Sequence, residues 1–494
     1  MRGLAGARLE RREDRIAAAH LQARALLALD RPEDVPALLQ RAGKEAKGAE
    51  ETALTTMLLG AALTRTNRRD QGEALLDEAA AAAQKSVPKL AAEIAYYRAL
   101  SRWTTYRLAE AEEIIDAALP AASDVPRARL LQLLGWIDVR RENYGAAAHE
   151  FSAALEELNK AKNADVKGRA RILIALACIA AETIDLRLGR LVRREYDKSA
   201  WPDDTRTERS RVLEHLSWLS LLEGDVARAW DERQMALTLS ADSTYHAIAL
   251  IDAAVVAGIV GDRFSEGRYL ELAGSLLLRG DQVNLDMDRR LATLAYVGTV
   301  PAANAETARK ILTLYERTRP KGAAGGDLSA FEGDRRLEAY EAYARGKLAV
   351  AEGETQHGVA DLERSLEAWT RLGYRLRIAI TANVLRTVTG DRRFAQIALD
   401  ALRNTPNAWL RESLERRTGQ DDPLGQLTPA ERRVLTELCK GRKAREIAAT
   451  FDRSFNTINN HTRAIFSAFG VRSRAALVAE CARLGILDDL KTLR

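Results

Sequence analysis

Residues 427–487 decide how this 494-residue chain is interpreted, and they read LTPAERRVLTELCKGRKAREIAATFDRSFNTINNHTRAIFSAFGVRSRAALVAECARLGIL. Four of these residues recur at helical spacing and form a stripe that is apolar apart from one threonine: Ile458, Thr462, Ile465 and Phe469. Apolar residues three and four positions apart lie on one face of a helix. The spacing therefore predicts a helix over residues 454–469 that buries this stripe.

The opposite face of the same helix carries polar side chains at matching intervals: Asn456, Asn459, Asn460, Arg463 and Ser467. Asn amides pair with adenine and Arg with guanine in the major groove of DNA. For Asn456 and Ser467, exposure to solvent without base contact is an open alternative. We interpret the helix as a DNA reader, and the rest of the chain as what controls or positions it.

The basic residues are concentrated near the end of the chain. Residues 428–494 contain 13 Lys and Arg against 7 Asp and Glu, a net charge of +6, whereas the whole chain has +5 and residues 1–427 have −1. Neutralising DNA phosphates requires a local basic patch of this kind. Solvated surface charge explains basic residues anywhere, but it explains less well a patch that coincides with the two-faced helix.

Composition indicates a helical protein that is too long for one hydrophobic core. The chain is 47% hydrophobic and 29% charged, with only 11 prolines, and Ala and Leu favour helices. It has no run of 18 uncharged apolar residues, and the start MRGLAGARLERRED lacks the apolar segment of a signal peptide. We expect a cytoplasmic protein without a cofactor. Its three cysteines (Cys178, Cys439 and Cys481) lack metal-ligand spacing and are expected to be inert reduced thiols.

Self-similar segments precede the basic region. Residues 60–83, 98–119 and 134–155 each show small residues, a polar turn and an alanine before further apolar positions. Aligning that alanine gives Ala74, Ala111 and Ala147, at intervals of 37 and 36, and Ala229 lies about two intervals further on. Repeats of this length built from helix pairs are typical of an α-solenoid. The fold class predicted is all-α, without strands.

These repeats resemble degenerate tetratricopeptide repeats, with eight or nine hairpins over residues 50–410 after a first helix at 4–30. Two Pro-containing breaks, 201–204 and 320–326, predict loops. Each loop either separates sub-arrays, lines a binding surface or simply connects hairpins. The polar segment RRTGQDDPLGQ at 416–426 is the predicted linker. The domains expected are therefore a repeat domain, residues 1–415, and a C-terminal domain, residues 427–494.

Four helices are predicted in the C-terminal domain. Thr428, Pro429 and Glu431 form the sequence of a capping box, and Gly441 ends the first helix. The second helix is expected over 443–451, the third begins after Ser454, and the fourth runs from Ser473 to about 484. A supporting helix, a tight turn and a helix with a polar outer face form a helix-turn-helix.

The segments LTPAERRVL, GRKAREIA, NTINNHTRAIF and FGVRSRAALV resemble the LuxR-type (GerE-type) domain of bacterial regulators, without gaps. The resemblance implies a four-helix fold whose third helix enters the major groove and whose fourth helix pairs two domains. Helical repeats before such a domain resemble the sensor halves of MalT-like regulators. The ATPase of those regulators is not expected, because the chain has no G-x-x-x-x-G-K-[ST] motif.

Residue roles follow by position from the resemblance. Base contacts are expected from Asn459, Asn460 and Arg463, with Asn456 added from the helix geometry. Phosphate contacts are expected from Arg442, Lys443, Arg445, Arg453, Ser454, Thr457 and His461. Thr457 and His461 match the Thr and His of the family's T-V-K-x-H pattern, where they touch phosphate or fix the helix. Packing or capping is an equal alternative for His461.

Two departures from the family put its usual recognition sequence in doubt. Asn459 stands where the family usually has Lys, and Arg453 stands where it usually has Val or Ile. The fourth helix is small and apolar, and core packing explains part of that composition. The dimer face expected on this helix comprises Ala475, Ala476, Val478, Ala479 and Ala482.

The partners expected are double-stranded DNA, RNA polymerase, a second copy of the chain on DNA, and an unidentified small-molecule or protein effector at the repeats. The competing hypothesis is an interaction scaffold whose C-terminal bundle docks protein instead of DNA. An enzyme is not expected, since no nucleophile–base constellation is visible. Salt separates the two hypotheses, because DNA binding weakens steeply with ionic strength.

Overall fold

The structure, a computed structural model of the chain, describes residues 11–28, 31–161, 165–241, 243, 245–279, 287–299, 304–318, 335–405, 408–411, 414 and 427–483. Over these residues the chain forms α-helices and short 3-10 turns, and no strand. The all-α class is therefore confirmed. None of the described helices is both long and apolar enough to cross a membrane.

Within the described residues before 402, twenty α-helices follow one another as pairs. Their bounds are α1 Arg12–Ala28, α2 Val35–Glu45, α3 Ala49–Leu63, α4 Arg69–Ser86, α5 Ala91–Thr104, α6 Leu108–Ala118, α7 Asp124–Arg140, α8 Tyr144–Lys160, α9 Val166–Thr183, α10 Leu186–Lys198, α11 Arg206–Glu223, α12 Val226–Ser240, α13 His246–Val260, α14 Arg263–Arg279, α15 Met287–Thr299, α16 Ala305–Thr318, α17 Arg335–Ala351, α18 Thr355–Leu372, α19 Arg375–Thr389 and α20 Arg392–Ala401. Nine pairs lie in residues 50–410, which agrees with the eight or nine predicted, and α1 with α2 adds a tenth.

Acidic or amide side chains in the turns start the second helix of several pairs. The side chain of Asn143 accepts a hydrogen bond from the Ala146 N–H, and that of Asp225 accepts one from Arg228. Asp391 does the same for the Arg393 N–H. The first N–H groups of a helix have no partner within it. These caps therefore fix where each second helix begins.

A small buried residue occupies the fourth position of most second helices. The set comprises Gly72, Ala111, Ala147, Gly189, Ala229, Ala308, Gly358 and Ala395. A Cβ on Gly72 would lie 2.6 Å from the Thr64 backbone nitrogen, so the paired helices cross too closely there for a side chain. Alignment on Ala74 was wrong by two residues, because Ala74 is exposed and Gly72 makes the crossing. Gly189 occupies the same position in α10, between Ala147 and Ala229, where an alignment on alanine alone found no residue.

Gly72→Ala is expected to lower the free energy of unfolding by up to about 2 kcal/mol. The clash costs about 1–3 kcal/mol, and the better helix propensity of Ala returns about 1 kcal/mol. Gly145→Ala is the matched control, since a Cβ there meets nothing within 4 Å, and it is expected to stabilise. Urea unfolding of both variants measures the difference. Equal effects at the two positions would show that the crossing at Gly72 is not tight.

The described residues divide into two compact units, 1–221 with 225–377 and 222–224 with 378–494. Successive cores fill the first unit. One includes Met57 and Ile94, the next Ile115 and Ile137, and a third Tyr296. Each core spans neighbouring pairs, as expected for stacked repeats that cannot bury their apolar faces alone.

Helices far apart in the sequence also meet within the first unit. The Arg377 guanidinium of α19 lies 2.8 Å from a carboxylate oxygen of Glu182 on α9. Burial alone would lower the pKa of Arg377, but Glu182 raises it well above its usual value. The rings of Tyr144 and Tyr374 are 5.0 Å apart. These contacts bring residues of α8 and α9 against residues 374–377, at the end of the first unit.

The break at 201–204 is an ordinary connection between hairpins. A 3-10 turn, Asp203–Thr205, leads from α10 to α11 after extended Pro202, and the Trp201 indole donates to the Tyr196 carbonyl. The predicted loop at 320–326 and the predicted linker at 416–426 lie outside the described residues.

Candidate nucleic-acid interface

Four helices form the C-terminal domain over residues 427–483: α21 Pro429–Cys439, α22 Ala444–Thr450, α23 Phe455–Ala468 and α24 Arg474–Arg483. Their common core is made of Leu427, Val434, Leu435, Leu438, Ile447, Ala448, Ile458, Ile465, Phe469, Leu477 and Cys481. The four predicted helices are confirmed, and their observed ends lie within one or two residues of the predicted ends. Gly441, with φ +96°, follows α21 as predicted.

A complete capping box begins α21. The Thr428 hydroxyl accepts from the Glu431 N–H at 3.3 Å, and Glu431 accepts from the Thr428 N–H at 2.8 Å. The Thr428 N–H and hydroxyl both donate to the Glu431 carboxylate at 2.8 Å, and these two hydrogen bonds lower the pKa of Glu431 below its usual value, against a rise from burial. The box fixes the start of the helix that supports the rest of the domain.

Glu431→Gln is expected to reduce stability by about 0.5–1 kcal/mol at neutral pH, because a neutral acceptor replaces a carboxylate at a helix start. The folded pKa of Glu431 is lowered, so its contribution is present above the unfolded pKa and is lost as pH falls through the folded one. The difference from wild type should therefore vanish in acid. Amide exchange of residues 430–440 at neutral and acid pH measures this difference. A difference that persists unchanged in acid would contradict this explanation.

A tight turn at residues 451–454 connects α22 to α23. The Arg453 N–H donates to the Ala448 carbonyl at 3.0 Å, and Asp452 takes a left-handed conformation with φ +49°. The Ser454 hydroxyl then accepts from the Thr457 N–H at 3.1 Å, which confirms Ser454 as the cap of the third helix. Ser454 and Thr457 also share a hydrogen bond between their hydroxyls at 2.8 Å.

The two faces of α23 differ as the spacing predicted. Ile458 and Ile465 are 1% and 0% exposed. On the other side, Asn456, Asn460, Arg463 and Ser467 are exposed and Asn459 is half-buried. Thr462, the polar member of the inner stripe, donates to the Ile458 carbonyl at 2.8 Å and so satisfies its own hydroxyl. The base-reading side chains proposed for this helix thus stand on its free face.

Basic side chains surround the start of α22 and the turn before α23, and Arg442, Lys443, Arg445 and Arg453 are all exposed. Arg442 is partly neutralised, because its guanidinium lies 3.1 Å from a Glu437 carboxylate oxygen. Arg445 lies 5.8 Å above the Phe455 ring. Exposed cations beside a polar helix face have the charge and placement needed to hold phosphates.

His461 faces the protein more than the solvent. Its side chain is 27% exposed, and its Nδ1 lies 3.7 Å from a Glu431 carboxylate oxygen. The same carboxylate belongs to the capping box of α21. The structure thus gives His461 a packing contact that ties α23 to α21, the alternative left open in the sequence.

The outer face of α24 is made of small residues. Ala475, Ala476, Ala479 and Ala482 are exposed and Val478 is half-buried, while Leu477 and Cys481 point into the core. Arg474 anchors this helix, since its Nε donates to the Leu438 carbonyl at 2.9 Å. Pattern alone did not indicate this role for Arg474, because its partner is a backbone group 36 residues away.

All three cysteines are free thiols, and two of them lie close together in space. Cys439 at the end of α21 and Cys481 on α24 lie 3.9 Å apart between sulfur atoms. Cys178 lies in α9 of the first unit. Burial raises the pKa of its thiol to about 12. The raised pKa of Cys178 agrees with the inert thiol predicted for it.

Solved structures of helical proteins are similar to the chain at low identity. The apo form of the quorum sensor NprR from B. thuringiensis matches 79% of this chain and 99% of its own, with 13% identity and a TM-score of 0.42. The APC/C hetero-tetramer Cut9-Hcn1 matches 99% of this chain and 86% of its own, with 12% identity and a TM-score of 0.45.

Comparison with known families concerns the C-terminal domain. Residues 425–480 match the family described as GerE, bacterial regulatory proteins, luxR family. A probable HTH-type transcriptional regulator, GfsR from Streptomyces halstedii, is 39% identical over 59 residues. That match covers 12% of this chain and 24% of the relative, so the chain spans about a quarter of the length of the regulator it matches. Residues 425–480 thus match the helix-turn-helix domain of the luxR family of bacterial regulatory proteins, and paired helices precede them in the chain.

Proposed function

We propose that this protein is a DNA-binding transcription regulator that places α23 in the major groove. The observation that carries the proposal is the division of α23 into a buried apolar face and a free face of Asn and Arg side chains. These are the residue types that pair with adenine and guanine edges. Asn456, Asn459, Asn460 and Arg463 are the proposed base contacts.

The phosphate contacts proposed are Arg442, Lys443, Arg445, Arg453, Ser454, Thr457 and His461. The exposed Arg and Lys residues among them support this assignment most directly. Ser454 and Thr457 offer hydroxyls at the start of α23, where the helix dipole also favours phosphate. His461 supports it least, because its Nδ1 faces Glu431.

Two copies are proposed to bind one site through α24. Its exposed alanines allow two such helices to approach closely, and the inward direction of Leu477 and Cys481 leaves that face unused by the core. Such a pair would present two α23 helices to half-sites about one helical turn of DNA apart. RNA polymerase is a proposed partner of the DNA-bound pair.

The repeats are proposed to receive an effector, a small molecule or a protein. Helical-repeat arrays commonly serve as extended binding surfaces. The contact between Glu182 and Arg377 couples residues that are far apart in the first unit, so an effector that separates them would act beyond a single hairpin.

Salt dependence tests the proposal. DNA fragments recovered from the source genome with the full-length protein should bind more weakly as salt rises, with a slope of log K against log salt of about −4 per domain for four cationic contacts. Fluorescence anisotropy measures the slope, and sedimentation of the complex should give two chains per site. Affinity that hardly changes between about 50 and 200 mM salt would instead favour a bundle that docks protein.

A further inference from the structure

Two cysteines from opposite ends of the C-terminal domain lie side by side. The sulfur atoms of Cys439 and Cys481 are 3.9 Å apart, although the residues are 42 positions apart in the sequence. A disulfide bond is about 2.05 Å long, so an approach of roughly 1.9 Å would join them. Within the described residues, no group of three or more His, Cys, Asp or Glu could hold a metal ion. The pair is therefore not part of a larger ligand cluster there.

The two thiols differ in environment. Cys439 is half-buried, whereas Cys481 is fully buried in the core. The hydrogen bond with Cys481 lowers the pKa of Cys439 against the effect of burial, and nearby Arg474 lowers it further. The same hydrogen bond and burial raise the pKa of Cys481. A half-buried thiol with a lowered pKa beside a fully buried thiol is the arrangement of an attacking and a resolving cysteine.

We propose that Cys439 and Cys481 form an oxidisable thiol pair that hydrogen peroxide or an organic hydroperoxide converts into an intramolecular disulfide between α21 and α24, and that this crosslink weakens DNA binding. The thiol pair itself stands on geometry, whereas its effect on DNA rests on the proposed function.

The chemistry balances with peroxide as the oxidant. The Cys439 thiolate attacks one peroxide oxygen, an S–O bond forms, the O–O bond breaks, and the hydroxide released takes a proton to become water. The Cys481 sulfur then attacks the Cys439 sulfenic acid, an S–S bond forms, the S–O bond breaks, and the departing hydroxide leaves as water with the Cys481 proton. Two thiols thus supply the two electrons that reduce one hydrogen peroxide to two waters.

The crosslink would act on the joint between α21 and α24. Arg474 already holds that joint by donating to the carbonyls of Leu438 at 2.9 Å and Arg442 at 3.4 Å. Drawing Cys481 toward Cys439 moves α24 against α21, and the exposed alanines proposed to pair two domains lie on α24. We expect this shift of α24 to weaken binding to the DNA fragments recovered from the genome about tenfold.

Thiol counting and peptide mapping test the pair without reference to DNA. The reduced full-length protein is treated with stoichiometric hydrogen peroxide, blocked under denaturing conditions and digested with trypsin without reductant. Free thiols should fall from three to one, and the peptides VLTELCK (434–440) and AALVAECAR (475–483) should appear as one linked species that dithiothreitol separates. Three thiols after treatment, irreversible acids on Cys439 without a link, or a link between two chains would overturn the pair.

Variants separate the parts of the proposal. Cys178→Ser is the matched control and should still form the link. Cys439→Ser should form none, and its DNA affinity should be insensitive to peroxide. A wild-type protein that links fully yet keeps its affinity would overturn the effect on DNA but leave the thiol pair standing. A reduced protein that binds no DNA would refute the proposed function instead, and the linked peptides would still decide the thiol pair.

Discussion

Arg377→Met is expected to lower the free energy of unfolding of the first unit by about 3–5 kcal/mol. This is the penalty for leaving the buried Glu182 carboxylate without its partner. The Glu182 side chain is only 6% exposed, and Arg377 provides three contacts to its carboxylate between 2.8 and 3.2 Å. Methionine fills much of the same volume but neutralises nothing. Urea unfolding followed by circular dichroism measures the loss, and amide exchange of α9 and α19 locates it.

A second long-range pair in the same unit provides the control. Arg335 lies 3.1 Å from Glu142 with side chains 60% and 26% exposed, so Arg335→Met should change stability by less than about 1 kcal/mol. The double variant Glu182→Leu with Arg377→Met should regain much of the loss, because it removes both charges. If the double variant is no more stable than Arg377→Met, the loss comes from packing and not from the uncompensated carboxylate.

Arg463→Ala is expected to weaken binding to the selected DNA, the fragments recovered from the source genome, by about 1–3 kcal/mol, or roughly 5- to 150-fold. It is also expected to relax the base preference at one position of the site. Arg463 is exposed on the free face of α23, two residues before buried Ile465. Its guanidinium is therefore free to form two hydrogen bonds to guanine. Competition between selected and random DNA, with sequencing of the bound fraction, measures both effects.

Arg445→Ala supplies the contrasting result. This exposed residue lies on α22, and its proposed partner is a phosphate, so its loss should weaken selected and random DNA alike and reduce the salt slope by about 1. An unchanged sequence preference in Arg463→Ala would remove α23 from its proposed role. A changed preference in Arg445→Ala would instead place α22 at the bases.

Local chemistry made the C-terminal domain predictable. Thr428, Glu431 and Ser454 act on backbone groups within three residues, so their roles follow from spacing alone. The inward direction of Ile458 and Ile465 follows in the same way from helical periodicity. Such contacts need no knowledge of how the rest of the chain packs.

Distant contacts were not predictable from the pattern. Glu182 and Arg377 are 195 residues apart, and nothing in either segment marks its partner. Cys439 and Cys481 lacked any motif for the same reason. The alignment on Ala74 instead of Gly72 was an error of another kind. The two small residues lie two positions apart and are equally plausible from the sequence. Only the close approach of the Thr64 backbone to Gly72 distinguishes them.

The small residue at the fourth position of the second helices limits where this chain tolerates insertions. The turns after α5, α7, α9, α11, α17 and α19 contain only two or three residues. Lengthening the following helix by one residue before that position would rotate its faces by about 100° and bring a larger side chain to the crossing. Insertions and deletions among relatives should therefore accumulate between hairpins, while spacing within each hairpin stays constant even where its residues change.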